Sequence, residues 1–241
     1  MEQIDLHDDP EILFNMGNAA GMRNDFATAF DYYTKAVKNG YAPAQCNLGL
    51  LYEKGNGVPQ NLFKAAEFYR KAAEQGFAPA QSNLGWCYES GIGVDQDLDK
   101  AVALYKKAAA SGHAPAQGNL GFCYGNGNGV VKNFDTAFEW YTKAAAQGNA
   151  FAQYNIGDSY EFGKGVGQDI AKAIEWYKKS AERGYAPAQT HLGLCYENGV
   201  GVPKNLHKAY EWYNYAAIHG YSAAKKNLER LRATVPDLPR N

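Results

Sequence analysis

Residues 41–76 of this 241-residue chain read YAPAQCNLGLLYEKGNGVPQNLFKAAEFYRKAAEQG. The pattern returns without a gap in four further blocks of 36 residues, and we number positions within each block from Tyr41 as position 1. A shorter copy precedes the blocks, and a half copy and a tail that we expect to be irregular follow them. A period of this length indicates a repeat protein. The short copy spans 8–40, the half copy 221–233 and the tail 234–241. The five full blocks span 41–76, 77–112, 113–148, 149–184 and 185–220.

The first half of each block predicts a helix, which we call helix A, from about position 3 to position 14. Ala44, Leu48 and Tyr52 form one apolar stripe at helical spacing. Pro43 stands at the start, where the missing N–H costs nothing. The glycine-rich loop that begins at Gly55 predicts the end of the helix, because glycine permits left-handed backbone angles.

The second half of each block predicts another helix, helix B. It begins after an Asn or Asp that can cap it, such as Asn61, and it ends at Gly76. Its apolar stripe includes Ala65 and Tyr69. One helix pair cannot bury both stripes alone, whereas stacked pairs can, so the chain predicts an all-α solenoid of about six pairs and a capping helix at 221–233. We expect a single domain over 1–241.

Composition sets limits on partners and location. The net charge is −1, so no strong field would gather nucleic acid. The first ten residues are acidic and unlike a secretory signal, and no apolar run is long enough to span a membrane. We therefore expect a cytoplasmic protein that neither binds nucleic acid nor inserts into a membrane.

The repeated residues resemble those of Sel1-like repeats, which are relatives of the tetratricopeptide repeat. The match occurs five times in register over about 180 residues. The shorter first copy is similar in length to a tetratricopeptide repeat. In the first full block the residues that carry the resemblance are Ala44, Leu48, Gly49, Tyr52, Gly55, Gly57, Val58, Ala65, Tyr69, Ala72, Ala73 and Gly76.

The resemblance implies a right-handed α-α superhelix with helix A lining its concave face, and an adaptor or scaffold that binds a protein or peptide there. Some cysteine-rich secreted members of the family have disulfides in each repeat and an associated β-lactamase activity. This chain departs from them, because Cys87, Cys123 and Cys195 share one column on the core side of helix A. Adjacent helices lie too far apart for disulfides, so we expect buried free thiols.

The helix A wheel predicts that positions 3, 6, 10, 13 and 14 face the groove. The apolar residues at position 10 would form a partner site on a face that is otherwise expected to be polar. The alternative is that they pack onto neighbouring helices. Position 6 holds Cys46, Ser82, Gly118, Tyr154 and Thr190. The other predicted contact residues are Leu50, Trp86, Phe122, Asp158 and Leu194 at position 10 and Phe162 at position 14.

Two columns of polar residues are further candidates for contacts with a partner. Glutamates at position 13 would attract a basic segment or would simply form a solvated acidic edge. Asparagines at position 7 would pair with the backbone of an extended peptide or would tie each helix to its neighbour. The candidates are Glu53, Glu89, Glu161 and Glu197, and Asn47, Asn83, Asn119 and Asn155.

No constellation of catalytic or metal-binding residues is predicted. The histidines are scattered, and no spacing typical of a metal site occurs. We expect no catalytic residue, no metal and no cofactor. A hydrolase of the β-lactamase-associated type, or an engineered repeat protein without a partner, remain alternatives to the scaffold.

Overall fold

The protein is described by a computed structural model covering residues 9–235 and 238–239. These residues contain thirteen α-helices and no strand, which confirms the all-α solenoid of helix pairs. Residue 8 of the first copy, and 236–237 and 240–241 of the tail predicted to be irregular, lie outside the described residues. The helices are α1 (Pro10–Met22), α2 (Phe26–Ala36), α3 (Ala42–Lys54), α4 (Leu62–Glu74), α5 (Ala78–Ser90), α6 (Leu98–Ala110), α7 (Ala114–Asn126), α8 (Phe134–Ala146), α9 (Ala150–Phe162), α10 (Ile170–Glu182), α11 (Ala186–Asn198), α12 (Leu206–Ile218) and α13 (Ser222–Thr234).

The helices group into two compact units. The first unit comprises Met1–Ala116 and Asn128–Val130, and therefore carries α1 to α6. The second unit comprises Gln117–Gly127 and Val131–Asn241, and carries most of α7 together with α8 to α13. Odd-numbered helices up to α11 are helix A of a pair, and even-numbered helices are helix B. A short 3-10 helix, Val37–Asn39, follows α2.

Local chemistry explains where the helices begin and end. The predicted helix B caps are confirmed: the side chain of Asn61 accepts a hydrogen bond from the Lys64 amide at 3.0 Å, and Asp169 does the same for Lys172 at 3.0 Å. Helix α3 ends at Gly55, which adopts a left-handed φ of 69°. At Gly57 a Cβ would meet the Phe26 carbonyl oxygen at 2.6 Å, so only glycine lets this loop pass so close to α2.

The core of each pair is a helix B tyrosine packed against a helix A glycine. Tyr69 and Tyr177 have no exposed surface. A Cβ added to Gly49 would lie 2.5 Å from the Tyr69 ring, and one added to Gly157 would lie 2.5 Å from the Tyr177 ring. The glycine therefore creates the space that the aromatic ring fills, and both residues are needed for helices A and B to approach so closely.

The structure corrects the expectation for position 6. Cys46, Ser82, Gly118 and Thr190 are buried, with Cys46 only 3% exposed. For Cys46 the reason is that the next helix A, α5, packs over it. Asn83 of α5 donates a hydrogen bond to the Cys46 sulfur at 3.6 Å. A helical wheel gives the direction of a side chain but not the helix that will cover it.

The thiols are confirmed as free and buried: Cys46, Cys87, Cys123 and Cys195 form no disulfide. Burial raises the pKa of the Cys46, Cys87 and Cys195 thiols to about 12. Thiols in this state are poor nucleophiles at neutral pH, so they serve as small core residues.

Candidate functional site: the exposed face of helix A

The apolar side chains at position 10 reach the surface in both units. Trp86 on α5 is 38% exposed in the first unit, and Phe122 on α7 is 37% exposed in the second. Leu50 and Leu194 are half-buried. Leu50 lines a cleft of about 320 Å³ together with Met22 and residues of α2. Each unit therefore presents apolar surface at this position of helix A.

Position 10 is different on α9. Asp158 is half-buried there, and its carboxylate lies 2.9 Å from the Lys164 ammonium. The same ammonium lies 4.8 Å from the centre of the Phe162 ring, which is 57% exposed. Tyr154 at position 6 is half-buried, and its ring packs against Tyr177 with the two centroids 5.4 Å apart. This helix thus presents a mixed aromatic and charged surface.

The glutamates at position 13 are hydrogen-bonded into the core. The hydroxyl of Tyr69 donates to Glu53 at 2.6 Å, and that of Tyr177 donates to Glu161 at 2.6 Å. Tyr105 pairs with Glu89 and Tyr213 with Glu197 in the same way, each at 2.7 Å. Burial, and then these bonds to an ionised acceptor, raise the pKa values of Tyr69, Tyr177 and Tyr213. The acidic column therefore joins the two helices in four of the pairs.

Two of these carboxylates also contact the following helix A or the capping helix. Glu161 lies 2.9 Å from Nε2 of His191 on α11. Arg230 of α13 donates to both oxygens of Glu197, at 2.6 and 2.8 Å. The Arg230 guanidinium holds the pKa of the Glu197 carboxyl below its usual range. Position 13 is thus a junction between successive helices.

Position 13 is glycine in two pairs, Gly21 and Gly125. In the first pair Tyr33 donates to Asn18 at 2.8 Å, so an amide takes the place of the carboxylate. In the second unit Tyr141 is only 5% exposed, and its hydroxyl finds no acceptor among the described residues. Gly125 and Tyr141 line a cleft of about 120 Å³. This cleft was not predicted from the sequence, although the gap in the acidic column at Gly125 marks its place.

The asparagines at position 7 bond within the chain. Asn47 of α3 donates to Asn18 of α1 at 3.0 Å. Asn83 donates to Cys46 as described above, and Asn155 donates to the Phe151 carbonyl of its own helix at 2.8 Å. Asn119 is half-buried on α7. Three of the four amides therefore help to hold their own or a neighbouring helix, and each NH₂ group retains a second N–H.

The structure also bears on metal binding and membrane insertion. Within the part of the chain that it describes, no three His, Cys, Asp or Glu side chains are grouped so that they could hold a metal ion. Between residues 9 and 235, and at 238–239, no helix is both long and apolar enough to cross a lipid bilayer.

Comparison with known proteins identifies the repeat. The Sel1 repeat family model matches residues 13–41, 42–77, 78–113, 114–149, 150–185 and 186–221. The chain belongs to the Sel1 repeat family. Proteins of this family are generally non-catalytic scaffolds for protein interactions.

Solved Sel1 structures resemble this chain along most of its length. A Sel1 repeat protein from Oxalobacter formigenes is 35% identical, with a TM-score of 0.80 over 95% of this chain and 92% of that one. A protective antigen of uropathogenic Escherichia coli strains that displays an SLR fold is 34% identical, with a TM-score of 0.69 over 96% of this chain and 51% of that one.

A curated relative matches a shorter segment. The DAP3-binding cell death enhancer 1 of Rattus norvegicus is 44% identical over 55 residues, which is 22% of this chain. The Sel1 chain covers 11% of the length of that relative. This match thus concerns the repeat rather than the whole relative.

Proposed function

We propose that this Sel1 repeat chain is an adaptor that binds a protein or peptide partner on the exposed face of helix A. The observation that carries the proposal is the exposure of Trp86 and Phe122 at position 10. A face that only meets water favours polar residues, whereas partially exposed aromatic side chains are typical of the centre of a binding surface. Membership of a family of interaction scaffolds supports the same conclusion.

The proposed surface is treated separately in each unit. In the first unit it comprises Leu50 and Trp86, flanked by Asn47, Asn83, Glu53 and Glu89. In the second unit it comprises Phe122, Tyr154, Asp158, Phe162 and Leu194, flanked by Asn119, Asn155, Glu161 and Glu197. Because each glutamate already accepts a hydrogen bond from a core tyrosine, we assign the glutamates a secondary role in binding and the apolar residues the main one.

We also propose the kind of partner and the cellular compartment of the chain. With a net charge of −1 the chain has no general attraction for phosphates, so the partner is a polypeptide and not a nucleic acid. We propose the cytoplasm as the compartment, in accordance with four thiols that remain free and buried.

Affinity capture from a native lysate, followed by titration calorimetry with the purified partner, tests this function. Trp86→Ala and Phe122→Ala should each weaken binding about 10-fold or more, since such residues dominate binding energies. Phe63→Ala and Tyr215→Ala are the matched controls, because these exposed aromatic residues lie on helix B. A partner whose affinity falls in the controls and not in the helix A variants would place binding elsewhere and refute the proposed surface.

A further inference from the structure

One helix pair differs from the others in the hydrogen bonding of its helix B tyrosine. Four of them donate to a position 13 glutamate, and Tyr33 donates to Asn18. Tyr141 is as deeply buried as Tyr33, at 5% exposure, yet no described residue accepts a hydrogen bond from its hydroxyl. The hydroxyl oxygen is not among the fully buried polar atoms that lack a partner, so it reaches the cleft that Tyr141 lines. This hydroxyl is therefore available to an acceptor from outside the chain.

The neighbouring pair shows what such an acceptor looks like. Glu161 is held by two groups, the hydroxyl of Tyr177 at 2.6 Å and Nε2 of His191 at 2.9 Å. The residues at the same block positions one pair earlier are Tyr141 and Asn155, and both line the 120 Å³ cleft beside Gly125. The Asn155 amide has used one N–H on the Phe151 carbonyl and has a second to donate. The pair with glycine thus keeps two donor groups and lacks the carboxylate.

The cleft has room for that carboxylate because position 13 has no side chain. A Cβ added to Gly125 would lie 3.6 Å from the Tyr141 hydroxyl and 3.7 Å from the Ala137 methyl, both ordinary contacts. Phe122 and Phe134 also line the cleft, and each is 37% exposed. These rings can pack against the methylene groups of an entering side chain.

We propose that the cleft beside Gly125 binds the side-chain carboxylate of a glutamate or aspartate in a bound polypeptide. The carboxylate takes the place that Glu161 occupies in the next pair and accepts hydrogen bonds from Tyr141 and Asn155. The proposal rests on the proposed function, because Phe122 belongs to the same binding face. It adds the chemical class that the partner presents at this point.

Two charged side chains in the cleft affect an incoming carboxylate in opposite ways. Lys164 lies in the lining and is paired with Asp158 at 2.9 Å. The Asp158 charge opposes an incoming carboxylate, and Lys164 attracts it. Asp158→Asn removes the opposing charge and releases the ammonium, so it should tighten carboxylate binding about 5-fold. If the cleft instead bound a lysine or arginine side chain, the same substitution would weaken binding.

Amide NMR titration of the full chain tests the proposal without a known partner. The probes are the blocked tripeptides N-acetyl-Gly-Glu-Gly-amide and N-acetyl-Gly-Gln-Gly-amide, with sodium acetate as a free carboxylate. We expect the Glu peptide to shift the amide signals of Gly125, Tyr141 and Asn155, and the Gln peptide to bind at least about 5-fold more weakly. Acetate should bind more weakly than the Glu peptide, because it lacks the methylene and backbone contacts.

Substitutions test whether the NMR shifts arise from binding in the cleft. Gly125→Glu supplies an internal carboxylate and should abolish binding in a folded protein, and Tyr141→Phe should weaken it about 10-fold by removing one donor. Tyr177→Phe is the matched control, since its hydroxyl already donates to Glu161, and it should bind the Glu peptide as the wild type does.

Several results would overturn the inference. They are equal binding of the Gln and Glu peptides, weaker binding by Asp158→Asn, acetate binding as tightly as the Glu peptide, or no shift at the three amides. None of them bears on partner capture by Trp86 and Phe122, so the carboxylate site can fail while the scaffold function stands. Conversely, a capture experiment that places the partner outside the helix A surface leaves the wild-type titration result unchanged.

Discussion

The fourth and fifth helix pairs, α7–α8 and α9–α10, have the same core and differ at position 13. In both pairs the ring of the helix B tyrosine packs against a helix A glycine. In the fifth pair Tyr177 donates to Glu161, whereas in the fourth pair Tyr141 faces Gly125 and has no acceptor among the described residues. The shared columns thus build the frame, and a single departure from a column creates a local binding opportunity. Four experiments test this difference.

Closing the space between glycine and ring should have the largest effect. Gly157→Ala brings a Cβ within 2.5 Å of the Tyr177 ring, which cannot move away without breaking its bond to Glu161. We expect a loss of about 3 kcal/mol in the free energy of unfolding, measured by urea denaturation. Gly121→Ala should lose only about 1–2 kcal/mol, because the Tyr141 ring can shift towards the cleft. Equal losses would show that the hydroxyl bond does not fix the ring.

Removing the carboxylate should make the fifth pair resemble the fourth. Glu161→Ala leaves the Tyr177 hydroxyl buried without its acceptor, so we expect a loss of about 2 kcal/mol by urea denaturation. Sodium acetate should then raise the Tm of this variant more than that of the wild type, because it can replace the lost group. Sodium chloride at the same concentration is the control. An equal response to both salts would contradict a specific carboxylate site.

The repetition made the fold predictable. A motif that occurs five times in register specifies helix pairs, and the caps at Asn61 and Asp169 form as the sequence indicates. The free thiols followed from the position of one cysteine column on the core side of helix A. These features depend on neighbours within a pair or on columns that recur in every block, and both can be seen directly in the sequence.

The candidate site was less predictable, because it depends on contacts between elements that spacing alone does not reveal. Position 6 was misplaced since the next helix A covers Cys46. The role of Glu53 was missed because its partner, Tyr69, lies 16 residues further along the chain on another helix. The surface assignments of Trp86 and Phe122 remain predictions. Gly125 could have been recognised from sequence as the exception in an acidic column, but its meaning required the tyrosine pairing.

Adding the carboxylate should make the fourth pair resemble the fifth. Gly125→Glu replaces a glycine within a helix and gives Tyr141 an acceptor, so we expect a gain of about 1–2 kcal/mol in the free energy of unfolding. Urea denaturation measures it, and Gly125→Gln is the control with similar helix propensity and no charge. A glutamate variant that is no more stable than the glutamine variant would show that the carboxylate does not reach the hydroxyl.

Removing the helix B tyrosine hydroxyl from each pair in turn should have the smallest effect on stability. It also compares the two pairs most directly. Tyr177→Phe deletes a hydrogen bond to an ionised acceptor and should lower the free energy of unfolding by about 1.5 kcal/mol. Tyr141→Phe deletes a hydroxyl that no described residue accepts from, and its stability should stay within about 0.5 kcal/mol of the wild type. The two variants remove the same atom from equivalent rings, so their difference measures the contribution of Glu161 as an acceptor. If both variants lost the same free energy of unfolding, Tyr141 would have an equally good acceptor within the chain. The cleft beside Gly125 would then have no hydroxyl available to donate to a partner.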